Sequence, residues 1–168
     1  MSGLTRALLV DDDEWFRKAF RARLRATFPN IELTDRAEPD VSGQYEIYFL
    51  DNQFGDVPLA AELVQSIRRA YPKALVIALS GRLDAPTLKR LINEGCNGAC
   101  EKGDPDELAR TFDVVRAYLA TADATAGTRQ TGGLGGTIRL ITDLLREWNN
   151  RLDGNDIVPD PHLTAAHR

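Results

Sequence analysis

Short apolar runs that end on acidic or polar residues alternate along the chain with stretches of helical periodicity. That alternation predicts an α/β fold with parallel strands joined by helical crossovers. Two observations carry most of the expectation. The runs Ala7-Leu8-Leu9-Val10 and Ile47-Tyr48-Phe49-Leu50 are continuously apolar, as strands buried on both faces require, and each stops at an aspartate, Asp11 or Asp51. Between them, Phe16, Phe20, Leu24 and Phe28 recur at helical spacing.

Each element follows in order. The first helix starts after Asp13, a natural N-cap, and Pro29 closes it. Ile31 to Thr34 is a short second strand. The segment Ala37 to Gln44 contains Pro39 and Gly43 and is too short for a full helix. Pro58 to Tyr71 reads as a helix with Leu59, Leu63, Ile67 and Ala70 on one face. Ala74 to Leu79 is the fourth strand and ends in the turn residues Ser80 and Gly81. Asp84 caps a helix running to Glu94, with Pro86 tolerated in its first turn. Gly98 to Glu101 is the fifth strand, followed by Lys102. Asp104-Pro105-Asp106-Glu107 opens a last helix that runs to about Ala120. These elements make a flavodoxin-like, doubly wound five-stranded parallel sheet with its second helix shortened or missing.

Composition narrows the classes of function. The 168 residues carry a net charge of −4, which argues against a nucleic-acid coat. No apolar run approaches the ~18 residues of a membrane span, and the N-terminus does not read as a signal peptide. Cys96 and Cys100 lie too close for a disulfide framework, so they read as packing residues of a reduced, cytoplasmic protein. Residues 1–120 form the expected domain. Residues 121–136 are Ala/Thr/Gly-rich and read as a linker; 154–168 read as a disordered tail. Between them, 137–153 read as an amphipathic helix with Ile138, Ile141, Leu145, Trp148 and Leu152 along one stripe. That stripe suits either packing onto its own domain or pairing with a second chain. From residue 121 onward there are five Arg against six Asp or Glu, so the extension is no basic DNA-reading module.

The chemistry-bearing residues gather at strand ends. Asp11, Asp12 and Asp13 follow the first strand and Asp51 ends the third, which in a parallel sheet places them at one edge. Carboxylates so gathered repel unless a positive group sits among them, and oxygen-liganded Mg²⁺ suits that task. Ser80 and Lys102 at the next two strand ends add a hydroxyl and an ammonium, which a phosphoryl group needs on its remaining sides. Singly, each residue has a bland reading: Asp13 a helix cap, Ser80 a turn residue, Lys102 solvated surface. Together, at the ends of four strands, they form a specific constellation.

The stretches Ala-Leu-Leu-Val-Asp-Asp-Asp (7–13), Tyr-Phe-Leu-Asp (48–51), Ile-Ala-Leu-Ser-Gly (77–81) and Gly-Cys-Asn-Gly-Ala-Cys-Glu-Lys (95–102) resemble, in order, the motifs of the CheY-like receiver domain of two-component response regulators. The resemblance covers about residues 5–120. It implies that Asp51 is the phosphoacceptor, taking its phosphoryl group from a sensor histidine kinase or a histidine phosphotransfer protein. It further implies Mg²⁺ held by Asp12 directly, by Asp11 through water, and by Asp51 and the backbone carbonyl of Gln53. Ser80 becomes the switch hydroxyl and Lys102 the cation paired with the phosphoryl group. The basic first helix, with Arg17, Lys18, Arg21, Arg23 and Arg25, is either a solvated face or, with Trp15 and Phe16, the docking surface for the phosphodonor.

The sequence departs from the family pattern in several places. Ala99 stands where the resemblance places an aromatic switch residue, Phe54-Gly55 replaces the usual Met-Pro, and Leu59 replaces a glycine. The expected function is a response regulator that signals by protein contacts, with no enzymatic or recognisable DNA-binding output. The alternatives are a phosphorylation-independent pseudo-receiver adaptor and a transcriptional regulator with a reduced output domain. A haloacid-dehalogenase-like phosphatase uses the same residue types, but it needs Asp-x-Asp after its first strand. Here Asp51-Asn52-Gln53 lies on the third, so the order is wrong.

Overall fold

The computed structural model describes residues 4–54 and 60–127. The expected helix at 137–153, the tail at 154–168, most of the 121–136 linker and the start of the helix at Pro58 lie outside the described residues. The elements are β1 (Thr5–Val10), α1 (Glu14–Thr27), β2 (Ile31–Arg36), β3 (Ile47–Asp51), α2 (Ala60–Ala70), β4 (Leu75–Ser80), α3 (Ala85–Asn93), β5 (Gly98–Glu101) and α4 (Pro105–Gly127). All strands pair in parallel in the order β2-β1-β3-β4-β5. This is the doubly wound sheet the sequence predicts, and no helix joins β2 to β3.

Alternating strand residues feed two apolar layers. Ala7, Leu9, Ile47, Phe49, Ile77 and Leu79 pack with Phe20, Leu24 and Phe28 of α1 and its C-cap, and with Leu108, Phe112 and Val115 of α4. Phe20 anchors that layer, its ring 4.8 Å from Phe49 and 5.9 Å from Phe112 in edge-on contacts. On the opposite face Leu8, Val10, Tyr48, Leu50, Val76 and Ala78 meet Ala60, Val64 and Ile67 of α2 and Leu88 and Leu91 of α3. α2 buries Ala60, Val64 and Ile67; of the expected Leu59-Leu63-Ile67-Ala70 stripe, Ile67 is buried, Leu63 sits on the flank, Ala70 is exposed and Leu59 lies outside the described residues. No helix of the described residues is long and apolar enough to cross a membrane.

Local chemistry fixes the ends. Asp13 Oδ1 accepts from the N–H groups of Trp15 and Phe16 at 2.9 and 3.0 Å, and Asp84 Oδ1 accepts from Thr87 N–H at 2.9 Å, so both expected caps form. β2 runs two residues past Thr34, to Arg36, because its charged end is partnered: Asp35 pairs with Arg17 and Arg21, and Arg36 with Asp40. The β2–β3 connection turns at Gly43, whose φ of +107° favours glycine, and a Cβ there would stand 2.9 Å from the Tyr45 ring. α4 continues to Gly127, past the expected stop near Ala120: three of residues 121–127 are alanines, and no glycine or proline interrupts the run before Gly127.

Candidate functional site at the carboxyl ends of the strands

Strand order reverses between β1 and β3, and in open α/β sheets that switch point is where ligands bind. Val10 and Leu50 are partners in the ladder, so the residues that follow them, Asp11 and Asp51, emerge side by side. Both are buried. Lys102, delivered by the end of β5, places Nζ 2.7 Å from Asp11 Oδ2 and 2.9 Å from Asp51 Oδ2. One ammonium thus bridges two carboxylates from neighbouring strands. The Phe16 ring lies against the same ammonium, 4.8 Å from its centroid.

The second oxygens are pinned by backbone. Asp11 Oδ1 accepts from Asp13 N–H at 2.9 Å and Asp51 Oδ1 from Gln53 N–H at 3.1 Å. Burial raises both carboxyls above their ordinary value, the lysine pulls each back down, and the nearby Asp11 charge pushes Asp51 further up. For Lys102 burial acts downward, but the two carboxylates outweigh it and hold the ammonium above its usual range. Exposed Asp12 completes the acidic group: one carboxylate oxygen from each of Asp11, Asp12 and Asp51 lies within 4.8 Å of the others. Three convergent hard oxygen donors fit a Mg²⁺ ion, and no softer ligand competes among them.

Ser80 is buried beside this group at the end of β4, with its hydroxyl donating to Arg82 O at 2.5 Å. Lys102 N–H donates to Ser80 O at 2.8 Å, tying the two strand ends together. Ala99, fully buried, pairs with Ala78. Cys96 and Cys100 are buried too, and burial pushes their thiols up to about 12 and about 11.

The structure therefore brings together Asp11, Asp12, Asp51, Gln53 and Lys102, with Ser80 at the adjoining strand end. Two links lie beyond what sequence reasoning found. Arg17, read with the basic face of α1, has a side chain only 14% exposed and donates from Nη1 to Asp11 O at 2.6 Å. Asn52, next to Asp51, accepts from Arg90 Nη2 of α3 at 2.6 Å. Trp15, by contrast, is 82% exposed.

No family model and no curated protein matches the sequence. Solved structures do match, at TM-scores that establish a shared fold. A CheY-like response regulator receiver domain protein from Methanospirillum hungatei aligns with TM-score 0.60 and 18% identity, over 73% of this chain and 99% of that one. A LuxR-family two-component response regulator from Aurantimonas sp. aligns with TM-score 0.59 and 20% identity, over 71% and 87%. The chemotaxis response regulator CheY4 of Vibrio cholerae aligns with TM-score 0.55 and 17% identity, over 66% and 97%. The chain has the fold of response regulator receiver domains.

Proposed function

We propose that this chain is a phosphoacceptor receiver of a two-component system. The observation that carries the reading is the Lys102 ammonium bridging Asp11 and Asp51 at the switch point of a receiver fold. An oxygen of the Asp51 carboxylate attacks the phosphorus of a phosphohistidine on a sensor histidine kinase or histidine phosphotransfer protein. The P–N bond breaks, the imidazole nitrogen leaves, and an acyl phosphate forms on Asp51. Lys102, already 2.9 Å from Asp51, neutralises charge on the transferred group. Ser80 exchanges its bond to Arg82 O for one to a phosphoryl oxygen.

Asp11, Asp12, Asp51 and the carbonyl of Gln53 would hold Mg²⁺. That ion supplies charge neutralisation between the acceptor carboxylate and the incoming phosphoryl oxygens. The output is contact with other proteins, without enzymatic activity or DNA reading by this chain. A second copy, pairing through the receiver or through 137–153, is one such partner.

Incubation with Mg²⁺ and a small acyl-phosphate donor, followed by intact mass, tests the reading. The expected result is Mg²⁺-dependent gain of one phosphoryl group, lost in Asp51→Asn. A wild-type chain that binds Mg²⁺ and gains no mass from either an acyl phosphate or phosphorylated phosphotransfer proteins overturns it in favour of a pseudo-receiver. Size-exclusion chromatography of the same samples reads the assembly state.

A further inference from the structure

Arg17 occupies a position its exposed neighbours on α1 do not share. Its Nη1 donates to Asp11 O at 2.6 Å, its Nε lies 3.3 Å from Asp35 Oδ2, and Asp35 is paired on its other side with Arg21. The backbone around it explains the need. Asp11 N–H closes the β1–β2 ladder on Arg36 O at 3.0 Å, the last strand-like bond before the chain turns into α1. The Asp11 carbonyl belongs to the peptide that joins Asp11 to Asp12, so its orientation sets how the two carboxylates face one another. A guanidinium anchored on β2 holds that peptide from outside the acidic group.

We propose that Arg17 is a positioning residue for the metal site: it fixes the Asp11–Asp12 peptide so that both carboxylates face one cation, with Asp35 fixing Arg17 in turn. The inference rests on the Mg²⁺ site of the proposed function. Arg17 also carries a positive charge near that site, and this makes the two ways it could act opposite in sign. As a charge alone it repels a bound cation, so its removal would tighten metal binding. As a positioning residue its removal loosens binding, because outer partners that orient metal ligands support affinity.

The probe is Mn²⁺ alone, with free ion followed by electron paramagnetic resonance, on the full chain and on Arg17→Ala, Arg17→Lys, Asp35→Ala, the Arg17→Ala/Asp35→Ala double variant and Lys18→Ala. Arg17→Ala is expected to weaken Mn²⁺ binding about tenfold, the scale of losses at such outer partners. Arg17→Lys, which keeps the charge and loses the planar fork, is expected to weaken it as well. Asp35→Ala should weaken it in the same direction, and the double variant should be no worse than Arg17→Ala. Lys18→Ala, with 66% of its side chain exposed and paired to Glu14, should leave affinity unchanged. Unchanged or tighter binding in Arg17→Ala overturns the proposal, and if that variant fails to fold, unchanged binding in Asp35→Ala does so. A wild-type chain whose Mn²⁺ uptake is nil and identical to Asp12→Asn overturns the metal site itself, an outcome distinct from wild-type binding that is insensitive to Arg17.

Discussion

Asn52 Oδ1 accepts a hydrogen bond from Arg90 Nη2 across 2.6 Å, which ties the residue after Asp51 to the middle of α3. Asn52 N–H is held at the same time by Leu79 O at 2.6 Å, and Arg90 Nη1 also reaches Glu94. The residue after Asp51 is thus joined to α3 by a hydrogen-bonded route that does not pass through residue 99. A double-mutant cycle of Asn52→Ala and Arg90→Ala should return a coupling of about 1 kcal/mol in urea unfolding, as for a charge-assisted bond at a partly exposed site. Additive losses would remove the route.

The pH dependence of stability has a definite sign at Asp51. Burial raises its carboxyl above 3.8, so ionisation opposes folding. The stability this group contributes is complete below its unfolded value and is lost as pH rises through the raised folded value. Asp51→Asn removes the charge and keeps the shape, while Lys102 retains Asp11 as its partner. It should raise Tm at pH 7. The advantage should shrink as both proteins are taken down toward pH 4. Thermal unfolding of the pair across that range checks it, and a gap that widens on acidification would contradict the assignment.

Ala99 pairs with Ala78 and is fully buried in the layer that holds Leu88 and Leu91. Ala99→Tyr, which would install the aromatic that the receiver motif carries there, should cost about 1–3 kcal/mol by overpacking. Equal or greater stability in chemical denaturation would mean that α3 yields readily.

Phe20 meets Phe16, Phe49 and Phe112 with ring centroids 5.7, 4.8 and 5.9 Å away. Phe20→Ala should cost about 3–5 kcal/mol, measured by urea unfolding, since three rings lose a shared neighbour. A loss under about 1 kcal/mol would mean that the layer closes over the gap.

Much of this was legible in the residues. Strands buried on both faces announce themselves as unbroken apolar runs, and Leu8, Leu9, Tyr48 and Phe49 are all fully buried. Strand-end carboxylates are visible because parallel topology sends every strand end to one edge. What escaped depends on partners distant in sequence. Asp35 and Arg36 look like loop residues until Arg17, Arg21 and Asp40 are seen around them. Alanines 120, 122, 124 and 126 were overshadowed by the threonines and glycines near them, although alanine carries the helix onward to Gly127. The Asn52–Arg90 bond joins residues 38 positions apart, and no local pattern encodes it.

The two sealed cysteines give the protein an internal clock for its own opening. Thiol reagents attack the thiolate, and burial holds Cys96 and Cys100 near 12 and 11, so the closed fold scarcely reacts. Cys96 belongs to the layer under α2 and α3, Cys100 to the layer under α1 and α4. Alkylation followed by peptide mapping therefore times each side of the sheet separately, with no foreign label introduced, and ranks which side of the sandwich breathes first when the strand-end site changes its occupant.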